Sequence, residues 1–249
     1  ALEMVRLHRL GSVEAAAGRI ALRSHVAAEE PVELVVESLP EDREVKRRVI
    51  VEAAAAWPDA TIATNTSSIG VSELGRLAGV SGRIIATHYW NPPLLMPLVE
   101  MLAGEATPLE RLERVAGVLR GIGKRPVLLH AEVHGMLWNR LQLAVLRETL
   151  WLVEHGVATP EQIDEVMRDG LARRWRLLGP FETVSLGGAA VFDAIADNLF
   201  PVLSNASSGG GFGPHLVEDP EALAELTRRR DEGLAAELVA ERSRRRRGG

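Results

Sequence analysis

A chain of 249 residues, 46% hydrophobic and 25% charged, is long enough to bury a large core, and its composition excludes a disordered, collagen-like or coiled-coil protein. It has no cysteine, which excludes disulfides, a thiol nucleophile and thiolate metal sites, and which fits a reducing cytoplasm. A net charge of −5 argues against a molecule built to hold nucleic acid, and no apolar run approaches the roughly eighteen residues that a membrane span needs.

The first residues, Ala1 to Arg9, alternate charged and apolar groups, unlike a signal peptide. Ala1 to Leu10 reads as the tail of an amphipathic helix, with Leu2, Met4 and Val5 to one side; a chain that opens there, on Ala rather than Met, is expected to be a fragment. Residues 32–36 form a short β-branched run ending at Glu37. Pro40 then opens a helix to Ala56, with Glu41 and Asp42 in its first turn, where carboxylates suit the helix dipole. Ala60 to Thr64 reads as a strand, and Ser67 or Ser68 as the cap of a helix through Leu77. Residues 83–88 make a third strand, and this alternation predicts a parallel α/β sheet. Pro97 to Met101 and Arg125 to Leu129 are further strands, separated by a helix that Thr107-Pro108 opens and Gly121-Ile122-Gly123 closes.

From Gly135 onward no strand signal remains. Residues 136–155 read as a long, largely buried helix, followed by one starting at Thr159-Pro160-Glu161-Gln162, one from Pro180 to Leu203, a Gly/Ser loop over 204–213 and a charged helix over 219–242. The chain therefore divides near His130 to Gly135 into an α/β part and an all-helical part.

Three stretches carry chemistry. Asn65-Thr66-Ser67-Ser68 follows a parallel strand, and in open α/β sheets ligands bind outside those strand ends. A helix cap is the plainer reading, but one cap needs a single side chain and four small polar residues stand together. His88 also ends a strand, and twelve residues on Glu100 sits within the apolar run Leu98-Val99-Glu100-Met101. A buried carboxylate is costly unless paired. A tight Pro turn would bring Glu100 alongside His88, where it would fix the imidazole tautomer and leave the other nitrogen to accept a proton; a satisfied structural Glu is the alternative. Asn139-Arg140 opens the long helix and, by itself, is an ordinary polar helix position.

Taken in order, Thr64-Asn65-Thr66-Ser67-Ser68, His88-Tyr89-Trp90-Asn91-Pro92, Leu98-Val99-Glu100, Gly123-Lys124, Asn139-Arg140-Leu141, Glu154-His155-Gly156 and Gly179-Pro180-Phe181-Glu182 resemble the L-3-hydroxyacyl-CoA dehydrogenase family. No single motif is decisive, but the ordered set is highly specific. Within the family, Asn91-Pro92-Pro93 and Asn139-Arg140-Leu141-Gln142 look most like the lambda-crystallin or L-gulonate 3-dehydrogenase branch and its bacterial relatives.

The resemblance implies a Rossmann-type NAD-binding domain over residues 1–132, without its first βαβ unit, and a helical substrate and dimerisation domain over 133–249. It implies NAD-dependent oxidation of the 3-hydroxyl of an L-3-hydroxyacyl-CoA to the keto group, in fatty acid metabolism, by a cytoplasmic homodimer. His88 would be the general base, Glu100 its orienting partner, and Ser67 and Asn139 the hydrogen-bonding partners of the reacting oxygen; Glu37, Asn65, Ser67 and Ser68 would lie near the nicotinamide end of NAD. No metal is assigned.

The chain departs from the family in lacking the Gly-rich turn and the acidic residue that reads the ribose. As it stands it is therefore expected to bind NAD weakly or not at all and to be inactive for lack of the Gly-rich phosphate loop, and the choice between NAD and NADP is open at that residue. The other readings are a dehydrogenase of a small free 3-hydroxy acid, of the L-gulonate or carnitine type, and a non-catalytic crystallin-like protein. The run Arg242 to Arg247 is expected to be a solvated, disordered tail rather than a nucleic-acid contact.

Overall fold

The computed structural model describes residues 12–26, 31–208 and 212–247. The expected helix tail at Ala1 to Leu10 lies outside the described residues. The chain divides into two compact units, Ala1–Leu137 with Asp219–Gly249, and Trp138–Glu218.

After a short helix α1 (Val13–Ala17), the first unit builds a five-stranded sheet in the order β1 (Leu34–Glu37), β2 (Thr61–Thr64), β3 (Ile84–Tyr89), β4 (Leu98–Ala103) and β5 (Arg125–Leu128). The helices are α2 (Arg43–Ala56) between β1 and β2, α3 (Val71–Leu77) between β2 and β3, and α4 (Leu109–Gly121) between β4 and β5. β1, β2 and β3 are parallel, as are β4 and β5, but β3 and β4 are antiparallel. The sheet is thus parallel except at one joint, where the tight Pro turn expected between His88 and Glu100 folds β4 back on β3. The link from Tyr89 to Leu98 is too short for the crossover that parallel strands require, so the chain turns back on itself. Lys124 ties that turn by donating to the carbonyls of Pro93 and Met96.

All four residues of β2 are buried, as a central parallel strand covered on both faces requires. On one face Ile62, Ile84 and Ala86 pack with Ile50 of α2 and Val71 and Leu74 of α3; on the other Ala63, Ile85, Val99 and Met101 pack with Leu112, Val115 and Leu119 of α4. Gly75 lets α3 close on β3, since a Cβ there would meet the Ile84 Cγ2 at 2.7 Å.

Two capping assignments differ from expectation. The α3 N-cap is Gly70, with no side-chain cap, because the Ser67 and Ser68 segment is held by a carboxylate described below. Pro108 is the N-cap of α4, and the Thr107 hydroxyl donates to the Ser81 and Ile84 carbonyls instead.

The second unit contains most of α5 (Met136–Glu154), then α6 (Pro160–Glu165), a π-helical stretch Val166–Leu171, α7 (Ala172–Trp175), α8 (Pro180–Gly187) and α9 (Ala189–Leu199). Thr159 and Gln162 form a reciprocal capping box at the start of α6, as the sequence signals. The single helix expected from Pro180 to Leu203 is instead two, parted at Gly188, whose φ of 86° suits glycine and not a helix interior. The last helix, α10 (Pro220–Arg247), groups with the sheet-bearing unit rather than with the helices before it, and Arg125 bonds Glu241 at 3.1 Å. It runs on to Arg247, so the arginine run is helical rather than the disordered tail expected. No described helix is long and apolar enough to cross a membrane.

Candidate active site

The antiparallel joint places His88 directly opposite Glu100 in the β3–β4 register. Their side chains meet at 2.8 Å, His88 Nδ1 to Glu100 Oε2, with Glu100 only 1% exposed. Glu100 also accepts the Trp90 indole N–H on Oε2 at 3.3 Å and the Leu137 backbone N–H on Oε1 at 2.8 Å. These partners are donors that fit an ionised carboxylate. An ionised Glu100 takes the proton-bearing Nδ1 of His88, which leaves Nε2 as the acceptor nitrogen of a neutral imidazole. His88 is 8% exposed, and its Nε2, with no hydrogen-bond partner among the described residues, stands near the carboxyl end of a parallel strand.

The β2–β3 register pairs Thr64 with Ala86, so Asn65 to Ser67 leave the sheet at the same carboxyl-end side as His88, the last residue but one of β3. Asn65 donates its backbone N–H to the Glu37 carbonyl and accepts the Tyr89 N–H on Oδ1 at 2.9 Å, tying the ends of three strands together. Its amide N–H groups are the donors left to a ligand. Ser67 is half-buried, and its hydroxyl has no hydrogen-bond partner among the described residues. A cavity of about 800 Å³ opens beside this loop, with Ser67, Ser68, Val71, Glu73, Leu102 and His130 in its walls.

Glu37 is placed at the same edge, but its carboxylate is already engaged. It accepts Lys46 Nζ at 2.8 and 3.1 Å, the Thr64 hydroxyl at 2.5 Å and the Leu39 N–H at 2.5 Å. Lys46 is wholly buried, and this ion pair is what makes its burial tolerable. Sequence reading missed Lys46, although a signal existed. Lys46, Ile50 and Ala53 form the buried stripe of α2 at helical spacing, and a cation in such a stripe requires a carboxylate. It also missed Trp90 and the Leu137 N–H as partners of Glu100. Asn139 lies in the first turns of α5, half-buried, within the second unit. Ser68 is exposed.

The donor set fits the nicotinamide end of NAD. Amide and hydroxyl donors from Asn65 and Ser67 stand at the carboxyl ends of parallel strands, where a carboxamide or ribose oxygen would accept them.

The 3-hydroxyacyl-CoA dehydrogenase NAD binding domain matches residues 3–133, and the C-terminal domain of the same enzymes matches residues 135–235. The chain belongs to the 3-hydroxyacyl-CoA dehydrogenase family, and NAD is the cofactor of the matched domain. It is 35% identical over 223 residues to the L-carnitine dehydrogenase of Nocardiopsis dassonvillei, covering 86% of this chain and 66% of that one. It is 39% identical over 157 residues to the L-carnitine dehydrogenase of Burkholderia mallei, covering 63% and 49%. The L-carnitine dehydrogenase/betainyl-CoA thioesterase of Agrobacterium fabrum is 38% identical over 155 residues, covering 62% and 31%. The chain thus spans between about a third and two thirds of these relatives. Among solved structures it is similar to 5-formyl-3-hydroxy-2-methylpyridine 4-carboxylic acid 5-dehydrogenase, an NAD+ dependent dismutase, with a TM-score of 0.77 and 27% identity, covering 82% of this chain and 71% of that one. It is also similar to the 3-hydroxybutyryl-CoA dehydrogenase of Escherichia coli K12, with a TM-score of 0.61 and 29% identity, covering 80% and 42%.

Proposed function

We propose that this chain carries the proton-transfer site of an NAD-dependent oxidoreductase that oxidises the 3-hydroxyl of a small free hydroxy acid, of the L-carnitine type, to a keto group. The observation that carries this reading is the 2.8 Å contact between His88 and the buried Glu100 at the end of β3. His88 Nε2 takes the hydroxyl proton, and Glu100 offsets the positive charge that then develops on the ring. The Ser67 hydroxyl donates to the reacting oxygen as it gains negative charge. The chemistry that bound NAD would supply is acceptance of the hydride from the carbon that bears the hydroxyl. The Asn65 side-chain amide would hold its nicotinamide end with Ser67 beside it, Ser68 gives its N–H and hydroxyl to Glu41, and Glu37 acts through Lys46 and Thr64 to keep the strand ends in place.

The relatives named L-carnitine dehydrogenase, at 35–39% identity, favour the free hydroxy acid. The second reading, a 3-hydroxyacyl-CoA substrate, is supported by the matched family and by the likeness to 3-hydroxybutyryl-CoA dehydrogenase. NADH formation with L-carnitine and with L-3-hydroxybutyryl-CoA separates them. Faster turnover per active site on L-carnitine is expected, and a preference for the CoA ester would reverse the assignment.

Self-association through the helical unit belongs to the same reading. Leu177, Phe181, Leu186 and Phe200 are 82%, 87%, 76% and 73% exposed. Large apolar side chains left open on this scale favour cover by a second copy. Sedimentation at micromolar concentration should show a dimer, and a strict monomer would count against it.

A further inference from the structure

Glu41 reads from sequence as a first-turn helix carboxylate, but Asp42 is the residue that caps α2, accepting the N–H groups of Glu44 and Val45. Glu41 reaches across to the loop after β2. Its Oε1 accepts the Thr66 hydroxyl at 2.6 Å, the Ser67 N–H at 3.0 Å, the Ser68 N–H at 2.7 Å, the Ser68 hydroxyl at 2.9 Å and the Ile69 N–H at 3.2 Å. Its Oε2 lies 3.4 Å from the buried Lys46 ammonium, which in turn holds Glu37. One carboxylate oxygen thus gathers donors from four consecutive residues. Of the three hydroxyls in Thr66-Ser67-Ser68, two are drawn to Glu41, and that of Ser67 is the one spared.

We propose that Glu41 is the positioning residue of the Thr66–Ile69 loop, fixing the backbone from which Ser67 presents its hydroxyl to the reacting oxygen. This rests on the role given to Ser67 above. The segment is made of small polar residues, and its backbone N–H groups would otherwise turn to water. An anion built into the chain gathers them as a bound anion would. Burial pushes the Glu41 carboxyl up, and the hydrogen bonds from Thr66, Ser68 and Ser67 outweigh it and bring it down to about 2, so the anchor stays ionised at neutral pH.

Glu41→Gln keeps the shape and removes the charge. In this variant, exchange of the Ser67, Ser68 and Ile69 amides should quicken by about ten- to a hundred-fold, the loss expected for hydrogen bonds to a charged group. The Ile62 and Ala63 amides of β2 should be unaffected. In the NAD-dependent assay kcat should fall while KM stays nearly constant, since a misplaced Ser67 weakens the transition state more than ground-state binding. Unchanged exchange in the loop would overturn the proposal, and so would faster exchange with an unaltered kcat. Should the Gln variant fail to fold, Ser68→Ala removes one donor from an exposed position and should quicken the same amides less; no change there would equally overturn it. Parent-like turnover in His88→Ala would overturn the functional reading instead and leave the exchange result standing.

Discussion

In the sheet-bearing unit Ile62, Leu74, Ile84 and Met101 are fully buried, whereas among the described residues between Trp138 and Glu218 Ser204 is the only buried one. The sheet unit covers both faces of its strands with its own helices and so supplies its own apolar driving force. The helical unit fixes some of its helix starts locally, with the Thr159 box and the Glu182 carboxylate accepting the Gly179 N–H, but leaves its large apolar side chains open. Local capping defines helices without closing a core. His88 and Glu100 therefore sit where the backbone is held by packing, and the exposed helical faces are where the proposed self-association would act.

Substitutions in the two units should separate them. Ile62→Ala should lower the unfolding free energy by about 2–5 kcal/mol, the usual range for a buried Ile, read from denaturant unfolding. A loss no larger than that of a surface substitution would break the contrast. Glu100→Gln comes next: turnover should drop by about ten- to a hundred-fold, the value of one hydrogen bond to a charged group, with the enzyme still folded. Parent-like turnover would make Glu100 a structural residue only. Phe181→Ser, in the open unit, should change stability by no more than about 0.5 kcal/mol while moving the sedimentation profile toward monomer. A large loss of stability would mean that Phe181 is packed after all.

The smallest effect is one of pH. Glu41 is held at about 2 in the folded chain, against an ordinary value of 4.5. A depressed folded value means that the unfolded chain binds the proton more readily, so this contribution is complete above 4.5 and is lost as pH falls toward 2. Exchange at Ser67–Ile69 should accordingly stay protected, relative to β2, down to pH 4.5 and weaken below it. Loop protection lost well above pH 4.5 would show that another group holds the loop.

Much of the sheet unit is legible in the sequence because period and punctuation coincide there. The strands at Thr61–Thr64, Ile84–Tyr89 and Leu98–Ala103 fall within a residue or two of their apolar runs, and the pairing of His88 with Glu100 follows from a carboxylate in an apolar strand beyond a Pro turn. What escapes is carried by long-range side-chain reach. Glu41 bonds residues 25 to 28 positions away, and nothing in a helix-start signal distinguishes a cap from a carboxylate that leaves its helix. Ser67 and Ser68 read as caps for the same reason. The break at Gly188 is hidden because glycine within a long apolar helix pattern is often tolerated. The grouping of Pro220–Arg247 with the sheet unit depends on contacts such as Arg125 with Glu241, 116 residues apart, which no local pattern announces.

The account turns on His88 as the proton acceptor, and the direct measurement is single-turnover NADH formation with L-carnitine by the parent and by His88→Ala, each carried in a protein with a whole NAD-binding domain, at saturating NAD and with the folded state checked. The account predicts a rate of chemistry lower by about a hundred- to ten-thousand-fold in the variant, the share of a general base, with NAD affinity nearly unchanged. A variant that reduces NAD at the parent rate would contradict it.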